Sequence, residues 1–175
     1  MTLLQDILFG VSLREVIGST QISITDIQID SRKVQHGTIF VAIKGLQVDG
    51  HAFIETAIQK GATAIMCEHL PSLLQEGITY IVVVNAQESV AVMSHHFYDN
   101  PSTKLKLVGV TGTNGKTTVA TLLFKLFKGL GYTCGLISTV ENHIGDTIVP
   151  ATHTTPDPIQ LNALLQKMVA AGCSH

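Results

Sequence analysis

The sequence predicts an α/β chain built in two units, and three observations carry that reading. Short β-rich runs alternate with helical ones from Ile22 to Pro101. The stretch DNPSTK, Asp99 to Lys104, interrupts this alternation with a proline and small polar residues. Behind it a second alternation opens, with a glycine-rich loop between a strand-like and a helix-like run. The predicted division is therefore residues 1–101 and residues 102–175.

Each element follows from local pattern. ISITDIQID and GTIFVAIKG read as strands, HAFIETAIQKG as a helix closed by Gly61, and ATAIMCE as the strand after it. ITYIVVVN is strongly β, its IVVV run fit for burial on both faces, and AQESVAVMSHHFYDN is helical up to Pro101. The expected order of this half is β-β-α-β-β-α. In the second half LKLVGV reads as a strand, a helix spans about 116–128, CGLIST reads as a strand, and a further helix runs from about Pro158 to Ala171. Val119, Leu122, Leu123, Leu126, Phe127 and Leu130 recur at helical spacing, a stripe expected to pack that helix on a sheet.

Composition narrows the function. With 45% hydrophobic and 14% charged residues, the 175-residue chain has the means for a packed core. Eleven Lys and Arg against thirteen Asp and Glu leave a net charge of −2 with no block of like charges, which disfavours nucleic acid as a partner. Cys67, Cys134 and Cys173 are widely spaced and signal neither a zinc site nor a disulfide framework, so buried thiols in a reducing compartment are expected. MTLLQDILFGVSLREVIG lacks a basic start and a small-residue cleavage site, and no apolar run reaches membrane-spanning length. A cytoplasmic monomer without a membrane partner is the expectation.

The stretch GVTGTNGKTT, Gly109 to Thr118, carries the chemistry. Glycines between a strand and a helix let backbone N–H groups approach an anion, and the positive end of the helix faces the same point. Lys116 is then placed for the β and γ phosphates of a triphosphate and the Thr117 hydroxyl for Mg²⁺, while Thr113 and Asn114 shape the cradle and Thr118 supports it. The general pattern G-x-x-x-x-G-K-[ST] asks for glycine where Val110 stands.

That stretch resembles the ATP-binding loop of the Mur ligases, the amide-forming enzymes of peptidoglycan precursor synthesis, whose loop carries a non-glycine at the place of Val110. Folylpolyglutamate synthases are similar but carry Gly-Lys-Gly-Ser where this chain has Gly115, Lys116, Thr117 and Thr118. The resemblance runs along nearly the whole chain. The segment from Asp30 to Ile65 resembles the N-terminal UDP-binding domain of the ligases that add the third stem residue and of those that add the terminal dipeptide. TTPDP, Thr154 to Pro158, resembles the third-residue type.

The resemblance implies a small N-terminal α/β UDP-binding domain followed by the start of a P-loop parallel-sheet ATPase domain. It implies ATP and Mg²⁺ as cofactors, with UDP-N-acetylmuramoyl-L-alanyl-D-glutamate and a diamino acid, meso-diaminopimelate or L-lysine, as the partners joined through an acyl phosphate. Carried over to this chain, ATP falls to Gly112, Thr113, Asn114, Gly115, Lys116, Thr117 and Thr118, with Lys116 catalytic and Thr117 on the metal. The UDP-linked substrate falls to Ile29, Ser31, Leu46, Gln47, Val48, His153, Thr154 and Thr155, His153 standing where many members carry asparagine. A further metal-holding carboxylate, a carbamylated lysine and a domain selecting the amino acid follow later in the family, so this chain alone is expected to be inactive.

Simpler roles stand beside these. Asp30 and Ser31 close turns by side-chain to backbone bonding, and Thr154 and Thr155 suit the N-cap of a helix after Pro156. Three other functions remain open: the dipeptide-adding type of ligase, a different P-loop small-molecule kinase, and a non-catalytic UDP-sugar-binding module.

Overall fold

In a computed structural model, which describes residues 2–45, 48–150 and 156–175, the chain divides into two units, Met1–Phe97 and Tyr98–His175. The first begins with β1 (Thr2–Leu3), α1 (Leu4–Ile7) and β2 (Leu13–Ile17). It continues through β3 (Ser23–Ile24), β4 (Asp26–Gln28), β5 (Thr38–Val41), α2 (Ile54–Gln59), β6 (Ala62–Cys67), β7 (Thr79–Val83) and α3 (Ala86–Phe97). The main sheet has the order β2-β7-β6-β5-β4, and β1 with β3 forms a separate antiparallel pair. The links β4–β5, β5–β6 and β6–β7 are parallel; β2 joins antiparallel at the edge.

Burial explains why the β-branched runs become the centre of this sheet. Every residue of β5 and β7 is buried, as a strand covered on both faces requires. Phe40, Ile65, Cys67 and Tyr80 pack with Ile54 and Ala57 of α2. The alternate residues Ile39, Val41, Met66, Ile81 and Val83 are buried on the opposite face. Each large aliphatic side chain so enclosed contributes roughly 1.5–3 kcal/mol. Tyr80 keeps its hydroxyl satisfied by accepting the Gln75 N–H at 3.0 Å. Burial also pushes the Cys67 thiol up to about 11, which makes it a poor nucleophile.

Two expected strands are shorter than their apolar runs. ISITDIQID breaks at Thr25, whose N–H donates to the Gly37 carbonyl and whose hydroxyl donates to that of His36. Ser23–Ile24 therefore pairs with β1 while Asp26–Gln28 joins the main sheet. Gly37 sits at φ +83°, and a Cβ there would lie 2.7 Å from the Thr25 hydroxyl, so glycine lets the two segments close up. GTIFVAIKG is a strand only to Val41, after which the chain turns into a hairpin.

The second unit opens with a 3-10 turn, Pro101–Lys104, and holds α4 (Lys116–Gly129), β8 (Gly135–Leu136), β9 (Glu141–Ile144), β10 (Thr147–Pro150) and α5 (Pro158–Ala170). Its described strands form an antiparallel sheet of order β10-β9-β8. LKLVGV, expected as a strand, is extended chain without a ladder, and Leu107 and Val108 are exposed. Ser174 and His175 lie between it and the start of β8: Lys106 N–H donates to Ser174 O, Ser174 N–H to Thr133 O, and Gly135 N–H to His175 O, at 2.8–2.9 Å. A hairpin turning at Gly145 and Asp146 joins β9 to β10.

On α4 the buried side is Phe124 with Ala120 and Phe127, packed on Cys134 and Leu136. Val119, Leu122, Leu126 and Leu130 of the predicted stripe are exposed, because the packed face lies to one side of that row. Asp157 caps α5, its carboxylate accepting the Gln160 N–H at 2.8 Å with Pro158 at the first helical position. Among the described residues no helix is long and apolar enough to cross a membrane.

Between β4 and β5 the chain turns on Asp30. Its carboxylate accepts the Arg32 backbone N–H at 3.0 Å and both arms of the Arg32 guanidinium at 2.9 Å, while its carbonyl accepts Lys33 N–H. The Arg32 side-chain bond, then its backbone bond, lower the Asp30 pKa to about 2. Because the folded value lies below the ordinary 3.8, the carboxylate's stabilisation is complete above 3.8 and is lost as the pH falls through about 2. Asp30→Asn is expected to lower unfolding stability near neutral pH by up to ~1 kcal/mol, the range of exposed pairs. Chemical denaturation across the acid range should show that difference shrinking towards pH ~2; a difference constant with pH would contradict this account of the turn.

Candidate functional site

The parallel run of β4, β5, β6 and β7 sends all four carboxyl ends to one edge of the sheet, the edge where open α/β sheets take ligands. Ile29 and Ser31 follow β4 there, Ile29 exposed and Ser31 buried. After β5 the chain makes a hairpin in which Gly45 N–H donates to Val48 O at 3.0 Å and Gly50 N–H to Ile43 O at 2.9 Å. A Cβ on Gly50 would lie 2.7 Å from the Ile43 backbone, so the hairpin closes only with glycine. Val48 is 56% exposed, an apolar surface displayed at this edge.

Asp49 caps the 3-10 turn Gly50–Phe53 by accepting the His51 N–H at 2.9 Å, and this bond, with a ring contact from His51, lowers its pKa. The His51 ring then reaches β6, accepting the Glu68 N–H at 3.0 Å. Glu68 in turn accepts the Ala86 N–H at the start of α3. His51 is a residue that sequence reasoning did not pick out, and the only signal was its place two residues after Asp49.

In the second unit the glycine-rich loop meets α4. Gly115 is left-handed at φ +78° and precedes the helix; Gly112 lies at φ +151°. A side chain at either position would strain the backbone, so the glycines set the loop's course. Among the described residues no acceptor pairs with the N–H groups of Gly112, Thr113, Asn114 or Gly115. Four exposed amides and a helix start form a cradle for an anion. The Lys116 ammonium bends over the loop and donates to Gly112 O at 2.5 Å and Thr113 O at 3.3 Å. Thr118, at the start of the helix, is exposed.

The Thr117 hydroxyl lies 3.4 Å from that of Thr139, beyond β8. Ser138 braces that segment, its hydroxyl donating to Glu141 O at 2.7 Å and its N–H donating to the Asn142 side chain at 3.2 Å. A cavity of about 360 Å³ runs beside the loop, lined by Leu123, Phe124 and Leu165 and also by Lys116, Thr117 and Thr139. Thr139 is a residue of the candidate site that sequence reasoning did not pick out, since only the fold brings it to Thr117. The residues Leu46, Gln47, His153, Thr154 and Thr155 lie outside the described residues.

Comparisons with known proteins agree with both halves. The family described as "Mur ligase family, catalytic domain" matches residues 23–104, and "Mur ligase middle domain" matches residues 110–175. The chain is 54% identical over 173 residues to the UDP-N-acetylmuramoyl-L-alanyl-D-glutamate--2,6-diaminopimelate ligase of Cytophaga hutchinsonii, covering 98% of this chain and 36% of that protein. It is 53% identical over 172 residues to the ligase of the same name from Bacteroides fragilis, with the same two shares. The chain thus spans about a third of the length of these curated relatives.

Among solved structures, one ligase of that same name superposes with a TM-score of 0.69 at 27% identity, over 86% of this chain and 30% of that one. The MurF ligase of Thermotoga maritima, solved in complex with ADP, gives a TM-score of 0.55 at 25% identity, over 80% of this chain and 28% of that one. Two family matches in sequence order, a fold shared with solved members and an open glycine-rich loop before α4 lead to one conclusion: the chain belongs to the Mur ligase family.

Proposed function

We propose that this chain belongs to a cytoplasmic ligase that joins 2,6-diaminopimelate to UDP-N-acetylmuramoyl-L-alanyl-D-glutamate, using ATP and Mg²⁺. The observation that carries the proposal is the cradle of free amides at Gly112–Gly115 with Lys116 folded over it. The names of relatives at about half identity supply the substrates. The residues fit a nucleotide phosphate: four donors without partners among the described residues, glycine backbone at the two turns, a lysine ammonium beside them and a hydroxyl pair.

ATP bound there with Mg²⁺ would supply the phosphoryl group that converts the D-glutamyl carboxylate to an acyl phosphate, leaving ADP; attack by the amine of the diamino acid on the acyl carbon would then form the amide and release inorganic phosphate. With ATP bound, the loop amides, free of other partners beforehand, would face the negative charge that grows on the transferring group, and Lys116 would join them by exchanging the carbonyls of Gly112 and Thr113 for phosphate oxygen. The Thr117 hydroxyl, with Thr139 beside it, offers oxygen to the metal. In the first unit Ile29, Ser31 and Val48, with Leu46 and Gln47, take the uridine end of the substrate, and His153, Thr154 and Thr155 take its muramoyl-dipeptide portion.

Two substitutions separate the parts of this reading. In the 175-residue chain, Lys116→Ala is expected to weaken MgATP binding about tenfold or more while leaving UDP-N-acetylmuramoyl-dipeptide affinity unchanged. Ser31→Ala is expected to do the reverse, weakening the UDP ligand about tenfold with MgATP unaffected. Titration calorimetry with each ligand measures both. Full MgATP affinity in the Lys116 variant would sink the nucleotide assignment, and full UDP-ligand affinity in the Ser31 variant would sink the substrate assignment. In the intact ligase, Thr117→Val is expected to raise the Mg²⁺ concentration needed for half-maximal phosphate release severalfold, as a coupled phosphate assay would record; an unchanged Mg²⁺ requirement would remove Thr117 from the metal.

A further inference from the structure

We infer that His51 is a positioning residue for the substrate: a single tautomer of its ring fixes the hairpin bearing Val48 to the end of β6. The inference rests on the reading of Val48 as a contact for the uridine end.

The ring is largely enclosed, with 17% of the side chain exposed, and both of its nitrogens are engaged. Nδ1 lies 2.6 Å from the Asp49 carboxylate, and Nε2 lies 3.0 Å from the backbone N–H of Glu68. A backbone amide can only donate, so Nε2 must present its lone pair and carry no proton. The ring proton is thereby assigned to Nδ1, where it points at the one group able to receive it, the Asp49 carboxylate. His69 is the other titratable ring nearby, 6.0 Å away between centroids.

Capping does not require this imidazole. Asp49 caps its turn through the backbone N–H of His51, which any residue but proline supplies. The ring does something else: it connects residue 49, the neighbour of Val48, to Glu68 at the end of β6, and Glu68 connects onward to the first residue of α3. Among the described residues, the hairpin's backbone fastenings, Gly45 to Val48, Gly50 to Ile43 and the Lys44–Asp49 bridge, are internal to it and to the end of β5. His51 therefore supplies a bond from the hairpin to the neighbouring strand, and a surface held in place before a ligand arrives binds with less ordering cost.

The test uses the 175-residue chain with ¹⁵N-labelled histidine and two variants. A long-range ¹H–¹⁵N spectrum of wild type near neutral pH is expected to show His51 protonated at Nδ1 and bare at Nε2. His51→Ala is expected to weaken UDP-N-acetylmuramoyl-dipeptide binding about fivefold or more, with MgATP affinity unchanged. His51→Gln, whose carbonyl can still accept the Glu68 N–H, is expected to recover most of the loss. A proton on Nε2, or wild-type affinity for the UDP ligand in the folded Ala variant, would overturn the inference. If the Ala variant does not fold, a Gln variant that folds but binds no better than fivefold below wild type overturns it. Should wild type show the expected tautomer yet fail to bind the UDP ligand, the reading of the sheet edge is what fails, and the substrate role of His51 falls with it.

Discussion

Four strands pointing the same way impose the constraint on which the first unit depends. A parallel ladder needs both faces covered, and here Phe40, Ile65 and Tyr80 are buried with Ile54 and Ala57 of α2 on one side while Ile39, Met66 and Ile81 are buried on the other. Once that burial fixes the strand order, the carboxyl ends of β4 to β7 share an edge without further instruction. The Asp30 turn, the Val48 hairpin, Glu68 and the start of α3 are all successors to those ends. Their polar groups satisfy one another across the edge: Asp30 with Arg32, Asp49 with His51, His51 with Glu68, and Glu68 with Ala86. Displayed side chains such as Val48 stand on a lattice of hydrogen bonds.

The second unit solves a different problem by a different means. Its loop leaves amides unpaired among the described residues, and unpaired backbone is tolerated only in contact with solvent or a partner. Gly112 and Gly115 hold the loop in backbone conformations that other residues resist, and α4 begins where the loop ends. Phe124 and Phe127 anchor the helix on Cys134 and Leu136, so the loop hangs from a packed element and does not close on itself. Ser138 and Asn142 fix the approach of Thr139 to Thr117 from the other side.

What could be read from the residues follows the range of the forces involved. β6, β7 and the starts of α3, α4 and α5 were legible because apolar run, cap and breaker all lie within a few residues of each other. The break at Thr25 was not legible, since it depends on Gly37 and His36 approaching from a distant turn. LKLVGV carries every local mark of a strand, yet a strand exists only where a neighbour supplies partners for its ladder, and there the backbone bonding among the described residues is limited to Lys106 with Ser174. The hairpin at Gly145–Asp146 had a local signal in its glycine and aspartate, beyond the CGLIST run that was expected as a strand. Within the site, the loop glycines and Lys116 were visible as a pattern; Thr139 and His51 owe their places to tertiary approach.

The posture of Lys116 bears on how much its charge could contribute at the proposed cradle. Its ammonium already rests on the carbonyls of Gly112 and Thr113, so a long, rotamer-rich side chain is partly ordered without any ligand. An anion seated on the loop would compete with those two carbonyls for the ammonium, and the bonds given up would offset part of the new attraction.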